Sequence, residues 1–193
     1  MCDILMAMNN NLQKLKQILC SNNVEQDIKL NIDFLCKLIP EIVPMIVFAH
    51  KNPHHHLDVW EHTVLAISKS KNDFETRLIL LLHDIGKPHS YQVDGEVRHF
   101  KGHGEVSAKM SRSILQRLGF DNDKIEEMCY IIKEHDNALT DEDIKNNPKL
   151  SYKRFCVQIG DAYAHNPEKS SKRINYCNQM QNIFDELGNK QYI

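Results

Sequence analysis

From Asn11 onward, apolar residues recur at steps of three and four through almost the whole chain, as in Leu12, Leu15, Ile18 and Leu19. That spacing gathers them on one stripe of an α-helix and leaves little room for a sheet. It predicts helices over residues 11–20, 26–38, 58–69, 74–83, 104–118, 123–134, 152–165 and 171–187. A shorter helix is expected around 42–48, punctuated by Pro40 and Pro44. Residues 74–83 are the most apolar and are expected at the centre of the core. One segment departs from the pattern. Residues 91–98 carry Asp94-Gly95, which supplies the positive φ angles of a type I′ turn, so a β-hairpin is expected there. The expected fold class is all-α: a single helical bundle with a small inserted β-hairpin.

A length of 193 residues suits one hydrophobic core rather than two. Residues 39–165 are expected to form the functional body, with helices of 1–38 packed on it and 166–193 adding a last helix to the same domain. A net charge of -2 gives no global pull toward nucleic acid or an anionic membrane. The longest apolar stretches, 42–49 and 78–82, fall well short of the roughly 18 residues that a membrane span needs. The first residues lack the basic and apolar regions of a secretory signal, so a cytoplasmic protein is expected. Cys2, Cys20, Cys36, Cys129, Cys156 and Cys177 are scattered with no Cys-x-x-Cys pair. Buried thiols are therefore expected, not a zinc knuckle or a disulfide framework.

Eleven histidines are a surplus that needs a reason. His54, His55 and His56 are consecutive in a loop and cannot all face one ion without strain. More informative are those at the ends or inner faces of separate expected helices: His62, His83 with Asp84, His103 and His135, together with Asp161. Helix ends in a bundle can converge on one point, and bundles build metal sites in this way. Imidazole with carboxylate suits Mn, Fe, Ni, Zn or Co, with Mg also accommodated, and is not a thiolate site. Gly86 and Gly102 give the backbone room to turn the ligands inward, with Gly86 read as a helix C-cap. Any one of these residues alone is commonly an ordinary core or helix-end group. The order His, His-Asp, Gly-His, His, Asp carries the weight.

In that order the sequence resembles the HD-domain phosphohydrolase superfamily. The resemblance rests on Val59-Trp60-Glu61-His62-Thr63, Leu82-His83-Asp84-Ile85-Gly86-Lys87-Pro88, Phe100-Lys101-Gly102-His103 and Asp161. It is nearest to the HD domain carried by bacterial tRNA nucleotidyltransferases, whose lead-in is similar to residues 40–63, and it covers about 39–161. The nucleotidyltransferase head of those enzymes, a Gly-Ser loop followed by paired Asp residues on a strand, has no counterpart in the sequence, so CCA addition is not implied. The resemblance implies a metal held by His62, His83, Asp84 and Asp161. In two-ion members His103 and His135 hold the second ion and Asp84 bridges. In one-ion members the same two histidines would contact substrate phosphate.

The implied chemistry is hydrolysis of a phosphomonoester or phosphodiester of a nucleotide-like substrate by a metal-activated water. Asp84 would be catalytic as the bridge, and Lys87 as a point charge toward the phosphate, unless Lys87 only caps its helix. His56, Arg98 and Lys101 are candidates for substrate contact, against the plainer reading of loop and hairpin-edge residues. His50, His89, His99 and His165 are read as ordinary. Glu61, Glu105 and Asp136 are read as surface charges, with a hydrogen bond to a ligand imidazole as the alternative. Other classes remain open: a non-catalytic HD module that binds a nucleotide, an RNA-processing phosphoesterase, and a di-iron oxygenase. The amphipathic stretches 11–20 and 171–187 could pair with a second copy in a homodimer.

Overall fold

The computed structural model describes residues 2–188, with side chains from residue 9 onward. Among the described residues, eleven α-helices run in order: α1 (Cys2–Leu19), α2 (Val24–Leu30), α3 (Ile32–Leu38), α4 (Val59–Lys69), α5 (Phe74–Leu82), α6 (Lys87–Ser90), α7 (His103–Arg117), α8 (Asn122–Glu134), α9 (Asp141–Asn146), α10 (Pro148–Ala164) and α11 (Ser171–Gly188). A 3-10 helix spans Pro40–Met45, and an antiparallel hairpin pairs β1 (Gln92–Asp94) with β2 (Val97–His99). No described helix is long and apolar enough to cross a membrane.

Helix starts are fixed by side chains that satisfy otherwise orphaned backbone N–H groups. Asp58 accepts from the Glu61 N–H at 2.8 Å while Glu61 accepts from the Asp58 N–H at 3.3 Å, a reciprocal capping box that starts α4. Asp73, Asp121 and Asn147 cap α5, α8 and α10 in the simpler way. α5 is the centre of the core: Leu78, Leu80, Leu81 and Leu82 have no exposed surface. Each contributes about 1.5–3 kcal/mol of burial. α4 and α10 pack against this helix, as do α7 and α8. A second apolar cluster lies under α11, where Phe155 stacks on Phe184 with ring centroids 5.1 Å apart.

Several local expectations change. α1 begins at Cys2, ahead of the apolar stripe. The helix expected over 26–38 breaks at Asn31, whose side-chain amide donates to the Asp27 carbonyl at 2.9 Å. The stretch expected as a helix at 42–48 is a tight 3-10 turn, because Pro44 cannot donate to an α-helical ladder. Gly86 has φ -82°, so it is no left-handed cap, and the chain continues from it into α6. A Cβ there would stand 2.6 Å from the Ser107 nitrogen and 2.7 Å from the His103 carbonyl oxygen. Gly86 is glycine for space. Within the amphipathic stretches 11–20 and 171–187, Leu15, Ile18, Leu19, Cys177 and Phe184 are buried inside the chain, while Leu12, Met180, Ile183 and Leu187 stay partly exposed. Cys129, Cys156 and Cys177 are buried thiols as expected, whereas Cys20 and Cys36 are half-buried. Cys2 falls outside the described side chains.

Candidate metal centre

The six residues singled out as ligands meet in one buried cluster. His62 comes from the first turns of α4, His83 and Asp84 follow the end of α5, His103 opens α7, His135 follows α8, and Asp161 comes from α10. A common local device aims the imidazoles. His83 reaches back with Nδ1 to the Leu80 carbonyl at 2.6 Å, His135 to Ile132 at 2.6 Å, and His103 to Phe100 at 2.8 Å. Each contact spans three residues. For His83 and His135 it also satisfies a carbonyl left unpaired at the end of a helix. His62 meets the Ala164 carbonyl with Nδ1 at 3.2 Å. With Nδ1 directed at a backbone carbonyl, Nε2 of each ring faces the cluster, and it is this nitrogen that a metal takes. The left-handed Gly102, φ 81°, lets the chain turn sharply into His103.

All four Nε2 atoms face Asp84, and they divide between its two oxygens. Oδ2 lies 3.6 Å from His62 and 3.3 Å from His83. Oδ1 lies 3.2 Å from His103 and 3.8 Å from His135. Asp161 Oδ1 adds to the first pair, 2.9 Å from His62 and 3.6 Å from His83. Both Asp84 oxygens and His83 Nε2 are buried without a hydrogen-bond partner. The Lys87 ammonium stands 2.7 Å from Oδ2 as an ion pair. Buried polar atoms are rarely left without partners, and these converge on common points. The donor set of neutral nitrogen and carboxylate oxygen fits a divalent transition metal in two adjoining positions that share Asp84.

The electrostatics point the same way. Burial alone would raise the Asp84 carboxyl, but the charges of His83 and Lys87 hold it well below the usual range. Burial likewise opposes ionisation of Asp161, which the neighbouring imidazoles of His165, His62 and His83 hold low. Two buried carboxylates demand positive charge. His83 answers that demand here: burial works against its proton, yet Asp84 and Asp161 push its pKa up to about 10. A cation between these groups would take over that role. His135 is the contrast, with burial pulling it down to about 4 and leaving it neutral.

A cavity of about 650 Å³ opens over the cluster. Lys87 lies buried on its wall, its ammonium 3.2 Å from His50 Nε2 as well as against Asp84. Lys101 stands exposed on the rim. Arg98 does not reach the cavity lining; it donates to the Ala49 carbonyl at 2.6 Å and lies over Phe48 and Tyr91. His56 points outward and is exposed, while its neighbours His54 and His55 line the cavity. Glu61 is committed to its capping box and Glu105 to an exposed ion pair with Lys133. Asp136 stands at the mouth, its Oδ2 3.5 Å from His103 Nε2.

Four residues given no role from sequence also gather here. His50 and His55 stack at 3.8 Å with their planes 5° apart. His165 follows the last residue of α10, four residues after Asp161, its Nδ1 2.8 Å from the Asp161 carbonyl. That spacing is readable in the sequence. Arg173 of α11 donates to Asp161 Oδ2 at 3.1 Å and to Asp136 Oδ1 at 2.9 Å. Nothing in its sequence neighbourhood marks it.

Comparison with known proteins places this fold in a family. The chain is 32% identical to the CC-adding tRNA nucleotidyltransferase of Thermus thermophilus over 130 residues, 64% of this chain and 28% of that protein. It is 34% identical to the A-adding tRNA nucleotidyltransferase of Deinococcus radiodurans over 148 residues, 69% of this chain and 34% of that protein. The chain thus spans about a third of the length of these curated relatives. The model of the HD domain matches residues 54–171, the stretch from the cavity-lining loop histidines to the start of α11. A match over more than half the sequence, ending on the elements that gather the histidines and aspartates, means that this chain belongs to the HD domain family, a metal-dependent phosphohydrolase superfamily.

Proposed function

We propose that this chain is a metal-dependent phosphohydrolase that cleaves a phosphoester bond of a nucleotide-like substrate. One observation carries the proposal: each oxygen of Asp84 faces its own pair of imidazoles, Oδ2 toward His62 and His83, Oδ1 toward His103 and His135. His62, His83, Asp84 and Asp161 would hold one divalent ion, and Asp84, His103 and His135 a second. When bound, such ions make water a nucleophile at neutral pH and offset phosphoryl charge.

The chain's own residues supply the rest. Lys87 holds Asp84 in place and turns its remaining positive charge toward the cavity, where phosphoryl oxygens would sit. His50 accepts from the Lys87 ammonium, and its own Nδ1–H is donated to the Leu57 carbonyl at 2.8 Å, so the lysine is steered from both sides. Lys101, Lys133, Lys169 and Lys172 ring the mouth and would draw in an anion. A second reading follows from that ring together with the tRNA enzymes among the relatives: the anion is the end of an RNA chain.

The test is metal content per chain beside turnover of p-nitrophenyl phosphate, its bis-ester and a nucleotide panel. Turnover lost on chelation and restored by Mn or Fe supports the hydrolase, and the stoichiometry gives one ion or two. Metal without turnover on any ester would leave a binding module. RNA binding that weakens steeply with salt would favour the second reading.

A further inference from the structure

A second pocket, of about 320 Å³, adjoins the metal cavity. His135, Asp136, Lys172 and Arg173 line both. The partition is the Arg173 guanidinium, spread between Asp161 and Asp136. Arg173 and Asp136 are 41% and 40% exposed, so their ion pair is screened by solvent and weak, and it is the bond to the buried Asp161 that keeps the guanidinium at the boundary. Behind it the lining is Ala138, Ala162, Cys177, Gln158 and the Tyr176 ring.

The polar atoms among these are already satisfied. The Tyr176 hydroxyl accepts from the Leu139 N–H at 2.8 Å and donates to Gln158 Oε1 at 3.0 Å. Gln158 Nε2 donates to the carbonyls of His135 at 3.1 Å and Asn137 at 2.6 Å. A hydroxyl-rich or charged group would find no partner on this floor and would lose its water. A flat apolar face would lie against alanine, thiol and aromatic carbon, with a guanidinium plane at its edge.

We propose that this pocket receives a planar ring carried by the organic group esterified to the scissile phosphate. The proposal rests on the hydrolase reading for its phosphate end. The family match ends at residue 171, so Lys172, Arg173, Tyr176 and Cys177 of this pocket lie beyond the matched stretch.

The test is calorimetric binding of two phosphonates, whose P–C bonds resist hydrolysis, to the metal-loaded protein: methylphosphonate and 1-naphthylmethylphosphonate. The naphthyl compound should bind at least about tenfold more tightly, as burial of an aromatic face brings. Ala138→Trp fills the pocket from an exposed position and should abolish that preference while leaving methylphosphonate within about twofold. Ala138→Leu, a smaller block, should act in the same direction. Equal binding of the two by the native chain, or a preference that survives both variants, overturns the pocket. A naphthyl preference in a protein that turns over no ester supports the pocket and removes the hydrolase. Turnover without the preference does the reverse.

Discussion

A Cβ on Gly160 would stand 2.7 Å from the carbonyl oxygen of Ala66, so α10 touches α4 backbone to backbone one residue before Asp161. This contact sets the reach of Asp161 to His62. Gly160→Ala should push the helices apart, destabilise the fold by about 1–3 kcal/mol and weaken metal binding. Thermal unfolding and a metal titration on the same samples would check both effects. Unchanged affinity in a destabilised protein would separate packing from the site.

Asp84→Asn keeps the volume and removes the charge shared by both ion positions. Metal content should fall sharply, and turnover should drop by on the order of 10²–10³ or more. Elemental analysis after dialysis, beside a phosphatase assay, gives both numbers. Full turnover in a metal-stripped variant would contradict the mechanism.

His103→Ala leaves the His62, His83 and Asp161 set untouched. A native chain that holds two ions should then hold one. A native chain that holds one should keep it and show a higher KM, with His103 acting on the phosphate instead.

Chelation should lower thermal stability, because an ion held among Asp84, Asp161 and the histidines binds only the folded chain. Free metal at about 100 times its Kd adds about 2.7 kcal/mol. At roughly 2–4 °C per kcal/mol for a chain of this size, the melting point should move by about 5–10 °C between chelator and Mn. No shift would mean that the cluster holds no ion.

Burial pushes the Cys177 thiol up to about 11, and the Asp161 charge adds to the effect. A raised acid pKa favours the folded state below the unfolded value near 9 and loses that contribution as pH climbs toward 11. Iodoacetamide should therefore label Cys177 far more slowly than the half-buried Cys20 at pH 8, and catch up only near pH 11. Fast labelling of Cys177 at pH 8 would show α11 lifting away.

The helical architecture and the six clustered side chains are legible in the sequence for a physical reason. His83, His103 and His135 fall at helix boundaries that caps and periodicity mark, and helix ends are where a bundle's side chains can converge. His50 is not legible in that way. It reaches the cluster because Val47 and Lys51 take positive φ values of 54° and 46°, which no residue preference announces. Choosing among three consecutive loop histidines is equally beyond pattern: His55 turns inward and His56 outward by loop geometry alone. Arg173 depends on where α11 docks, a tertiary outcome. Gly86 is identifiable as a special position, but the cause, close approach of α7 instead of a turn, emerges only from packing.

Arg154 and Gln158 of α10 grip the end of α8 by its carbonyls: Arg154 Nε donates to Glu134 at 3.0 Å, its Nη2 donates to Asn137, and Gln158 donates to His135 and Asn137. Asp161, less than a turn further on, meets His62. One helix thus indexes His135 against His62 by residue count. Inserting a single residue between Gln158 and Asp161 would turn the aspartate by about 100° around the helix axis while the grip on α8 stayed put. Over evolutionary time this stretch should accept many changes of letter and almost no change of length.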